Sequence, residues 1–436
     1  MSENQEPTSA TPSNEPTVIC GADTFSLPPK RPTLTYDASF WFACLAHAAL
    51  MLSMSVLFRY ADFIAYLVGP DGHVEGHLGW IVGVGMVGAL VMRGVQGYTI
   101  DHYGPRLVWL ASLVLLIASL LGHLAVARVD APPIYLLRIL VMTGTAGAFG
   151  AAITFISLRA PTARMPEMIG VMGSSGFFGW LLGPVLGDVL LAGSPPNQDQ
   201  VTRMFLMAAA ATVAALVFAA LATRKSVRPA PQPRPSLFTL LKRYHPGVIL
   251  LVGIAMGFGV GLPHTFLRAY TAHIGVDQIK TFFVVYAIVA FAVRISTRRF
   301  PEMIGIRAMN LLGLAALSAS MLLYLAVDNE WMLALPAIAG GVGHGLLFPA
   351  VVGGGSGVFP RQFRGTGTIL MLGMFDVGGL IGQPMAGSLV ETARNWNLPP
   401  YPTMFVTVAA VMCLTAAIYA CVTGIGKQRA ERPRGD

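Results

Sequence analysis

The chain has 436 residues, of which 54% are hydrophobic and only 11% are charged, whereas a soluble domain carries about 25% charged residues. This composition, with a mean hydropathy of +0.64, excludes an ordinary soluble enzyme. The formal net charge of +8 does not indicate a nucleic-acid partner, because the basic residues are spread between apolar segments and are not interleaved with exposed aromatic residues.

The chain opens with a polar segment, residues 1–37, that is rich in Pro, Ser, Thr and Glu. It has neither the basic start nor the short apolar core of a secretion signal. We therefore expect a disordered cytoplasmic tail here and a shorter cytoplasmic tail at 426–436.

Twelve apolar runs follow, near or above the ~20 residues needed to cross a bilayer. The predicted helices are 39–68, 78–99, 106–127, 133–158, 167–192, 201–222, 247–270, 279–297, 307–326, 330–358, 365–391 and 401–424. Prolines and charges mark a cytoplasmic linker at 224–245. The sequence thus predicts an all-α membrane protein of twelve transmembrane helices, with one six-helix bundle at 38–223 and a second at 246–425.

Lysine and arginine are concentrated in alternate loops. If the N-terminus is cytoplasmic and basic residues at helix ends are counted with the adjoining loop, the cytoplasmic loops and tails hold 20 of the 29 basic residues, the opposite loops hold four, and five lie within helices. This bias predicts that both termini face the cytoplasm. An even number of helices likewise requires both termini to lie on the same side.

Two sequence matches relate the predicted bundles, as is typical of transporters. The first match lies at the ends of the second and eighth helices: Arg93, Asp101, Gly104 and Arg106 recur with identical spacing as Arg294, Glu302, Gly305 and Arg307. The second lies in the fifth and eleventh helices: Gly179, Pro184 and Gly187 recur as Gly379, Pro384 and Gly387. We therefore expect the two bundles to be pseudo-symmetric.

Ionisable side chains inside the predicted helices are candidates for a substrate or proton path. A charge in hydrocarbon is unfavourable by roughly 2.5–3.5 kcal/mol, so such residues face a bundle interior. The candidates are Arg59, Asp62, Arg138, His264, Arg268, His344 and Asp376. Arg59 and Asp62 stand three residues apart and are open to two interpretations, a structural bridge or a gate. The third, sixth, ninth and twelfth helices lack interior charges and are predicted to be scaffold.

The segment 97–106, GYTIDHYGPR, resembles the motif G-x-x-x-D-x-x-G-x-R of the major facilitator superfamily. The resemblance covers 39–424 and implies that superfamily's fold, with a conformational latch on the cytoplasmic side. The latch residues that it implies are Gly97, Asp101, Gly104, Arg106, Arg294, Glu302, Gly305 and Arg307. The second copy departs from the motif, with Arg298 in place of the leading glycine and Glu302 in place of the aspartate.

A second motif, GPVLGD at 183–188, resembles the fifth-helix motif of the superfamily's proton-coupled exporters, with Asp188 in place of its last glycine. Its predicted helix-packing residues are Gly183, Pro184, Gly187, Pro384 and Gly387. Arg138 resembles the fourth-helix arginine of such exporters, which implies a role in coupling or substrate charge, with plain helix pairing as the alternative.

The second half is similar to bacterial sugar and drug efflux permeases, which also place an aspartate in the eleventh helix, here Asp376. It is interpreted either as a proton carrier or as a hydrogen-bonded core carboxylate. This similarity implies a bacterial inner (plasma) membrane location.

These observations predict a monomeric secondary active transporter, surrounded by lipid, that moves a small-molecule substrate by alternating access. No G-x-x-x-x-G-K-[ST] signature and no paired catalytic constellation occur, so we expect a proton gradient as the energy source, no cofactor or metal, and no enzymatic activity. Proton-coupled efflux is the favoured hypothesis. The open alternatives are a symporter for uptake of an organic anion with protons and a membrane sensor without transport.

Overall fold

The computed structural model describes residues 36–70, 72–159, 165–193, 195–224, 237–360 and 363–430. The predicted tail 1–37 lies outside the described residues except for its last two. The predicted linker 224–245 is described only at 224 and from 237 onward, and the predicted tail 426–436 only to 430, where it is still helical.

The described residues form helices and no strand, and ten of these helices are long and apolar enough to cross a membrane. One of the ten, Glu75–Gly122, turns at Gly104 and therefore makes two crossings. Lys280–Ser296, with 17 residues, supplies one more. The predicted all-α membrane fold is confirmed over the described residues, which provide twelve crossings in all.

We number these crossings α1 to α12. Their bounds are α1 Ala38–Val68, α2 75–103, α3 105–122, α4 Pro132–Arg159, α5 Met165–Leu190, α6 Gln198–Ala222, α7 Ile249–His273, α8 Lys280–Ser296, α9 Gly305–Leu323, α10 Ala334–Gly357, α11 Arg364–Asn395 and α12 Pro400–Ala430. Short helices at Leu237–Arg243 and Phe300–Met303 precede α7 and α9. The end of the bundle where α1 begins is called proximal, and the opposite end distal.

The turns before α3 and α9 explain one position of the loop motif. Gly104 has φ +82° and Gly305 has φ +78°, a backbone conformation that residues with a Cβ rarely adopt. Pro105 then begins α3, a position where its missing N–H leaves no helical bond unmade. The motif glycine is therefore needed for the chain to turn.

The motif arginines tie each turn to another helix of the same half. Arg106 Nη1 donates to the Thr223 carbonyl at the end of α6, at 3.0 Å. Arg307 Nη2 donates to the Ala420 carbonyl of α12, at 3.0 Å, and its Nε donates to Thr423 Oγ1, at 2.8 Å. The Thr223 carbonyl lies at the C-terminus of α6, where carbonyls often lack intrahelical donors and attract cations. These bonds hold α3 to α6 and α9 to α12.

The first six and last six helices meet along two equivalent contacts. α2 packs on α11, and α5 packs on α8. The α2–α11 contact depends on small residues, because a Cβ on Gly79 would lie 2.5 Å from the Gln383 carbonyl oxygen and a Cβ on Gly83 would overlap the Pro384 ring. The copy of the helix-packing motif in α11, which contains Pro384 and Gly387, is therefore part of the interface between the halves.

The corresponding glycines of α5 pack within the first half. A Cβ on Gly179 would lie 2.6 Å from the Ala48 carbonyl of α1, and one on Gly183 would overlap Ser55. α6 packs on α1 and α3, and α9 packs on α10 and α12, so these helices lie against their own half. Tyr401, at the start of α12, is an exception and reaches the first half.

Candidate substrate and proton path between the halves

Four charged side chains form a buried network near the distal end. Arg59 of α1 is bonded to Asp62, and its Nη1 lies 2.7 Å from Asp188 Oδ1 of α5. Asp62 Oδ1 in turn lies 2.8 Å from Arg268 Nε of α7. All four residues are at most 7% exposed. The charges of this distal network balance, which offsets the unfavourable desolvation of each ion.

The distal network also joins the first half to the backbone of the second half. Asp188 Oδ2 accepts bonds from the N–H groups of Ile279 and Lys280 at the start of α8, each at 2.9 Å. Arg59 Nη1 donates to the Asp277 carbonyl at 3.1 Å. A carboxylate is a favourable partner for the free N–H groups of a helix N-terminus. Asp188, the residue that departs from the fifth-helix motif, thus caps a helix of the opposite half.

A second distal contact was not foreseen from the sequence. Glu75 Oε1, at the start of α2, lies 2.9 Å from Arg394 Nη2 and 2.8 Å from the Tyr401 hydroxyl. Both partners belong to the second half. The sequence signals for this contact are that Arg394 is one of only four basic residues in or next to the predicted distal loops, and that Glu75 is an acid near a predicted helix start.

Nearer the middle of the bundle, Arg93 of α2 is bonded to Asp376 of α11. Asp376 is 4% exposed, and at about 1.5 Å per residue it lies about 18 Å from the proximal end of α11. Arg93 Nη1 is buried and has no hydrogen-bond partner in the described part of the chain. Asp376 is therefore a buried carboxylate whose counter-ion comes from the opposite half.

Six rings meet between the halves on the distal side of this pair. Trp180 of α5 is the centre of the group: its ring centroid lies 5.0 Å from that of His264, 5.7 Å from His344 and 6.2 Å from Tyr286. Phe58 of α1 stacks on Phe283 of α8 at 4.4 Å. We call these six residues the ring cluster. Sequence reasoning identified only its two histidines, since aromatic residues are common in apolar helices.

The histidines of the ring cluster differ in their bonds. His264 Nδ1 lies 2.6 Å from the Val260 carbonyl, which only accepts, so this nitrogen carries a hydrogen. His264 Nε2 is buried without a partner among the described residues. His344 Nδ1 lies 2.9 Å from the Tyr286 hydroxyl, and either group can donate. His264 thus has one nitrogen free to bond to a ligand or water.

Two further arginines contact aromatic faces and no carboxylate. The Arg138 guanidinium lies 4.8 Å from the Tyr60 ring centroid, and that of Arg294 lies 5.1 Å from the Phe177 centroid and 5.0 Å from the Phe348 centroid. Within the described ranges, both Nε atoms are buried without a hydrogen-bond partner and neither arginine makes an ion pair. Arg138 and Arg294 therefore each bring a positive charge into the membrane-spanning part of the described chain without a carboxylate partner.

The residues of the predicted latch do not form one site. Gly97 and Asp101 lie in the last turns of α2, and Glu302 is exposed in the short helix before α9. Arg294, by contrast, lies between aromatic rings in the interface of the halves. Arg294 is therefore separated from the surface residues of the motif, because its guanidinium packs against rings of the membrane helices. The latch role of these residues stays a prediction.

No group of three or more His, Cys, Asp or Glu side chains in the described parts of the chain is arranged to hold a metal ion. The geometry instead provides ion pairs, rings and partly exposed polar groups between two six-helix sets. This combination of fold and site defines a transport protein of the two-bundle class, in which solutes cross between the halves.

The chain belongs to the major facilitator superfamily, whose family model matches residues 39–319. Its fold is similar to that of the nucleoside transporter NupG, with a TM-score of 0.68 and 13% identity over 88% of this chain and 98% of that one. It is also similar to a D-xylose-proton symporter, with a TM-score of 0.68 and 14% identity over 86% and 96%.

A bacterial homologue of the human lysosomal transporter Spinster, in an inward-facing and unoccupied conformation, has a TM-score of 0.67 and 14% identity over 87% of this chain and 95% of that one. The protein is thus a multi-pass membrane transporter and not an enzyme, and transporters of this family need no cofactor.

Proposed function

We propose that this protein is a proton-coupled secondary active transporter that exports a small solute by alternating access. The two bodies that rock are proposed to be 38–223 and 246–425, joined by the segment 224–245. The observation that carries the proposal is the buried ion pair between Arg93 and Asp376, one residue from each half.

The pair supplies a physical link between protonation and movement. A carboxylate that receives a proton loses its charge and no longer balances the arginine opposite it. Because both side chains are largely buried, the loss of this ion pair changes the free energy of contact between the halves by more than a surface pair would. Proton uptake by Asp376 would therefore favour separation of α2 from α11.

The distal contacts supply the matching gate. Asp62 with Arg268, and Glu75 with Arg394, hold the distal ends of the halves together. We propose that this is the state closed to the outside, and that these pairs separate when the transporter opens outward. In this proposal Arg59 and Asp62 serve in a gate as well as in a structural bridge.

The test is transport by the Asp376→Asn variant in proteoliposomes with an imposed proton gradient. Asparagine has nearly the same shape but cannot take up or release the proton, so we expect gradient-driven accumulation to be abolished and substrate exchange without a gradient to be largely retained. A matched control is Asp130→Asn, which changes an exposed carboxylate on the α3–α4 loop. Undiminished gradient-driven accumulation by Asp376→Asn would refute the coupling role.

The direction of transport rests on three resemblances: the fifth-helix motif, Arg138, and the similarity of the second half to efflux permeases. Proton-dependent resistance of intact cells to the exported compound, lost in Asp376→Asn, is the expected result. One observation favours a second candidate, a symporter that takes up an organic anion with protons: Arg138 and Arg294 have no carboxylate partner in the described regions. Accumulation in right-side-out vesicles at acidic external pH would support the symporter and count against export. Absence of flux in both assays would count against both transport candidates and favour the sensor hypothesis.

The proposed setting is the bacterial inner membrane, with both termini in the cytoplasm and the protein as a monomer. The proximal end is then the cytoplasmic face. A reporter active only in the cytoplasm, fused after 436, is expected to be active, and an inactive fusion would reverse the assignment of the two faces.

A further inference from the structure

Arg93 in α2 and Arg294 in α8 occupy equivalent positions in the two halves. α2 packs on α11 of the opposite half, and α8 packs on α5 of the opposite half in the same way. The two arginines therefore stand in equivalent interfaces.

The two interfaces differ in whether the arginine has a carboxylate partner. Arg93 is bonded to Asp376 of α11. In the match between α5 and α11, the position equivalent to Asp376 is Gly176, which carries no side chain. Its neighbour Phe177 lies beneath the Arg294 guanidinium. The second interface thus retains the arginine and lacks the carboxylate.

The charge of Arg294 is left without compensation in the part of the chain that the structure describes. Its Nε is buried without a hydrogen-bond partner, and its guanidinium contacts the rings of Phe177 and Phe348. Contact with aromatic faces replaces only a part of the lost hydration of a guanidinium. The residue as a whole is partly exposed, which is compatible with the approach of an anion from outside the chain.

The surroundings of Arg294 suit an apolar, flat molecule. Phe177 lies edge-on to Trp180 with centroids 5.9 Å apart, and Phe348 lies 5.7 Å from the His344 ring. Phe177 and Phe348 therefore lie between the Arg294 guanidinium and the ring cluster and contact both. Flat aromatic groups pack well between such rings, whereas a sugar would need many more polar partners.

We propose that Arg294 binds the anionic group of the transported substrate, an aromatic carboxylate, in the place that Asp376 takes for Arg93. The proposal rests on the transport function above and names the substrate class of the same path. Phe177 and Phe348 contact the apolar body of the substrate, and the guanidinium binds the two carboxylate oxygens.

The test measures the melting temperature of the full-length protein in lipid nanodiscs, without any ion gradient, against benzoate, benzamide and benzylamine. These probes share a ring and differ in charge. We expect benzoate alone to raise the melting temperature, since a ligand that binds only the folded state stabilises it. In Arg294→Gln we expect at least a tenfold loss of apparent affinity for benzoate, together with a higher melting temperature of the ligand-free protein, because an uncompensated charge has been removed.

Two variants control this result. Arg128→Gln removes an exposed arginine paired with Asp130, and we expect it to change neither quantity. Arg294→Lys keeps the charge without the two-pronged geometry, and we expect a severalfold weaker affinity for benzoate. If Arg294→Gln does not fold, Arg294→Lys decides the matter by itself.

Absence of stabilisation by benzoate, equal stabilisation by benzamide, or unchanged benzoate affinity in the Arg294 variants would each overturn the proposal. A lower melting temperature of ligand-free Arg294→Gln with unchanged affinity would assign the arginine a structural role instead. The assay contains no proton gradient, so its failure leaves the coupling role of Asp376 intact, and a failure of gradient-driven transport leaves this binding result intact.

Discussion

Asp188 stands where the fifth-helix motif has its last glycine, and its carboxylate makes ionic and hydrogen-bonded contacts at this position. One carboxylate oxygen faces Arg59 and the other accepts two backbone N–H groups of α8. The arginine lies between Asp188 and Asp62, and Asp62 lies between the two arginines of the distal network. Arg59 and Asp62 therefore each have two charged partners, and removal of a single charge leaves the remaining buried charges unbalanced.

Asp62→Asn is expected to destabilise the protein strongly. The change leaves Arg59 and Arg268 with less negative charge than they need, and the loss of one partner from a buried ion pair lowers the free energy of unfolding by roughly 3–5 kcal/mol. Denaturant-induced unfolding of the purified protein in mixed micelles measures the change. For comparison, Asp130→Asn alters an exposed pair and should leave unfolding unaffected, and equal effects of the two variants would contradict the buried network.

At the scale of the helices, the turn and the close packing are controlled by different glycines. Gly104 and Gly305 supply positive φ, and nothing would crowd a side chain at Gly305. Gly79 and Gly387 have ordinary helical backbones, but a Cβ at either position would collide with the backbone of the opposite helix. Glycine is thus required at 104 and 305 for the turn of the backbone, and at 79 and 387 for the close approach of two helices.

Gly305→Ala tests the backbone role of the loop glycine without a steric conflict. Alanine in a left-handed conformation is disfavoured by roughly 1–2 kcal/mol, so we expect that loss in the free energy of unfolding. Gly94→Ala is the control, because Gly94 lies within α2, has no close neighbours and lacks a positive φ. A loss of stability at Gly94 as large as at Gly305 would indicate a general intolerance of alanine instead of a turn requirement.

At the scale of the whole molecule, the halves are joined by ion pairs toward the distal end and by α2–α11 and α5–α8 packing. Alternating access requires these contacts to separate and re-form during each cycle. A covalent bond across the interface in the distal part of α2 should therefore arrest the protein in the state described here.

The pair Met86→Cys with Gly379→Cys is suited to form that bond. A Cβ on Gly379 would lie 3.2 Å from Met86 Cγ, the place that a cysteine sulfur would occupy at position 86, which is compatible with disulfide geometry. In a background without other cysteines, oxidation is expected to reduce transport to a few per cent, about a thirtyfold or greater loss, and reductant to restore it. Each single variant should be insensitive to oxidant. Unimpaired transport by the cross-linked protein would rule out separation of α2 from α11 during the cycle.

The sequence by itself determined the membrane class and the twelve crossings with their approximate bounds, and it predicts that the crossings form two related sets of six. These properties are local, because a helix that crosses lipid needs a continuous apolar run of fixed length and must satisfy its backbone internally. The repeated loop motif could also be recognised from the sequence, because Gly104 and Gly305 are required locally by a backbone with positive φ.

Only the tertiary structure decided which charges meet. Periodicity indicated that Arg59 could pair with Asp62, three residues away, but Asp62 with Arg268, Glu75 with Arg394 and Arg93 with Asp376 join residues hundreds of positions apart. In helices this apolar, the pattern does not disclose which side faces a partner helix and which faces lipid. The packing of the two halves decides it, and packing leaves Arg138 and Arg294 without carboxylates within the described chain, whereas Arg93 has one.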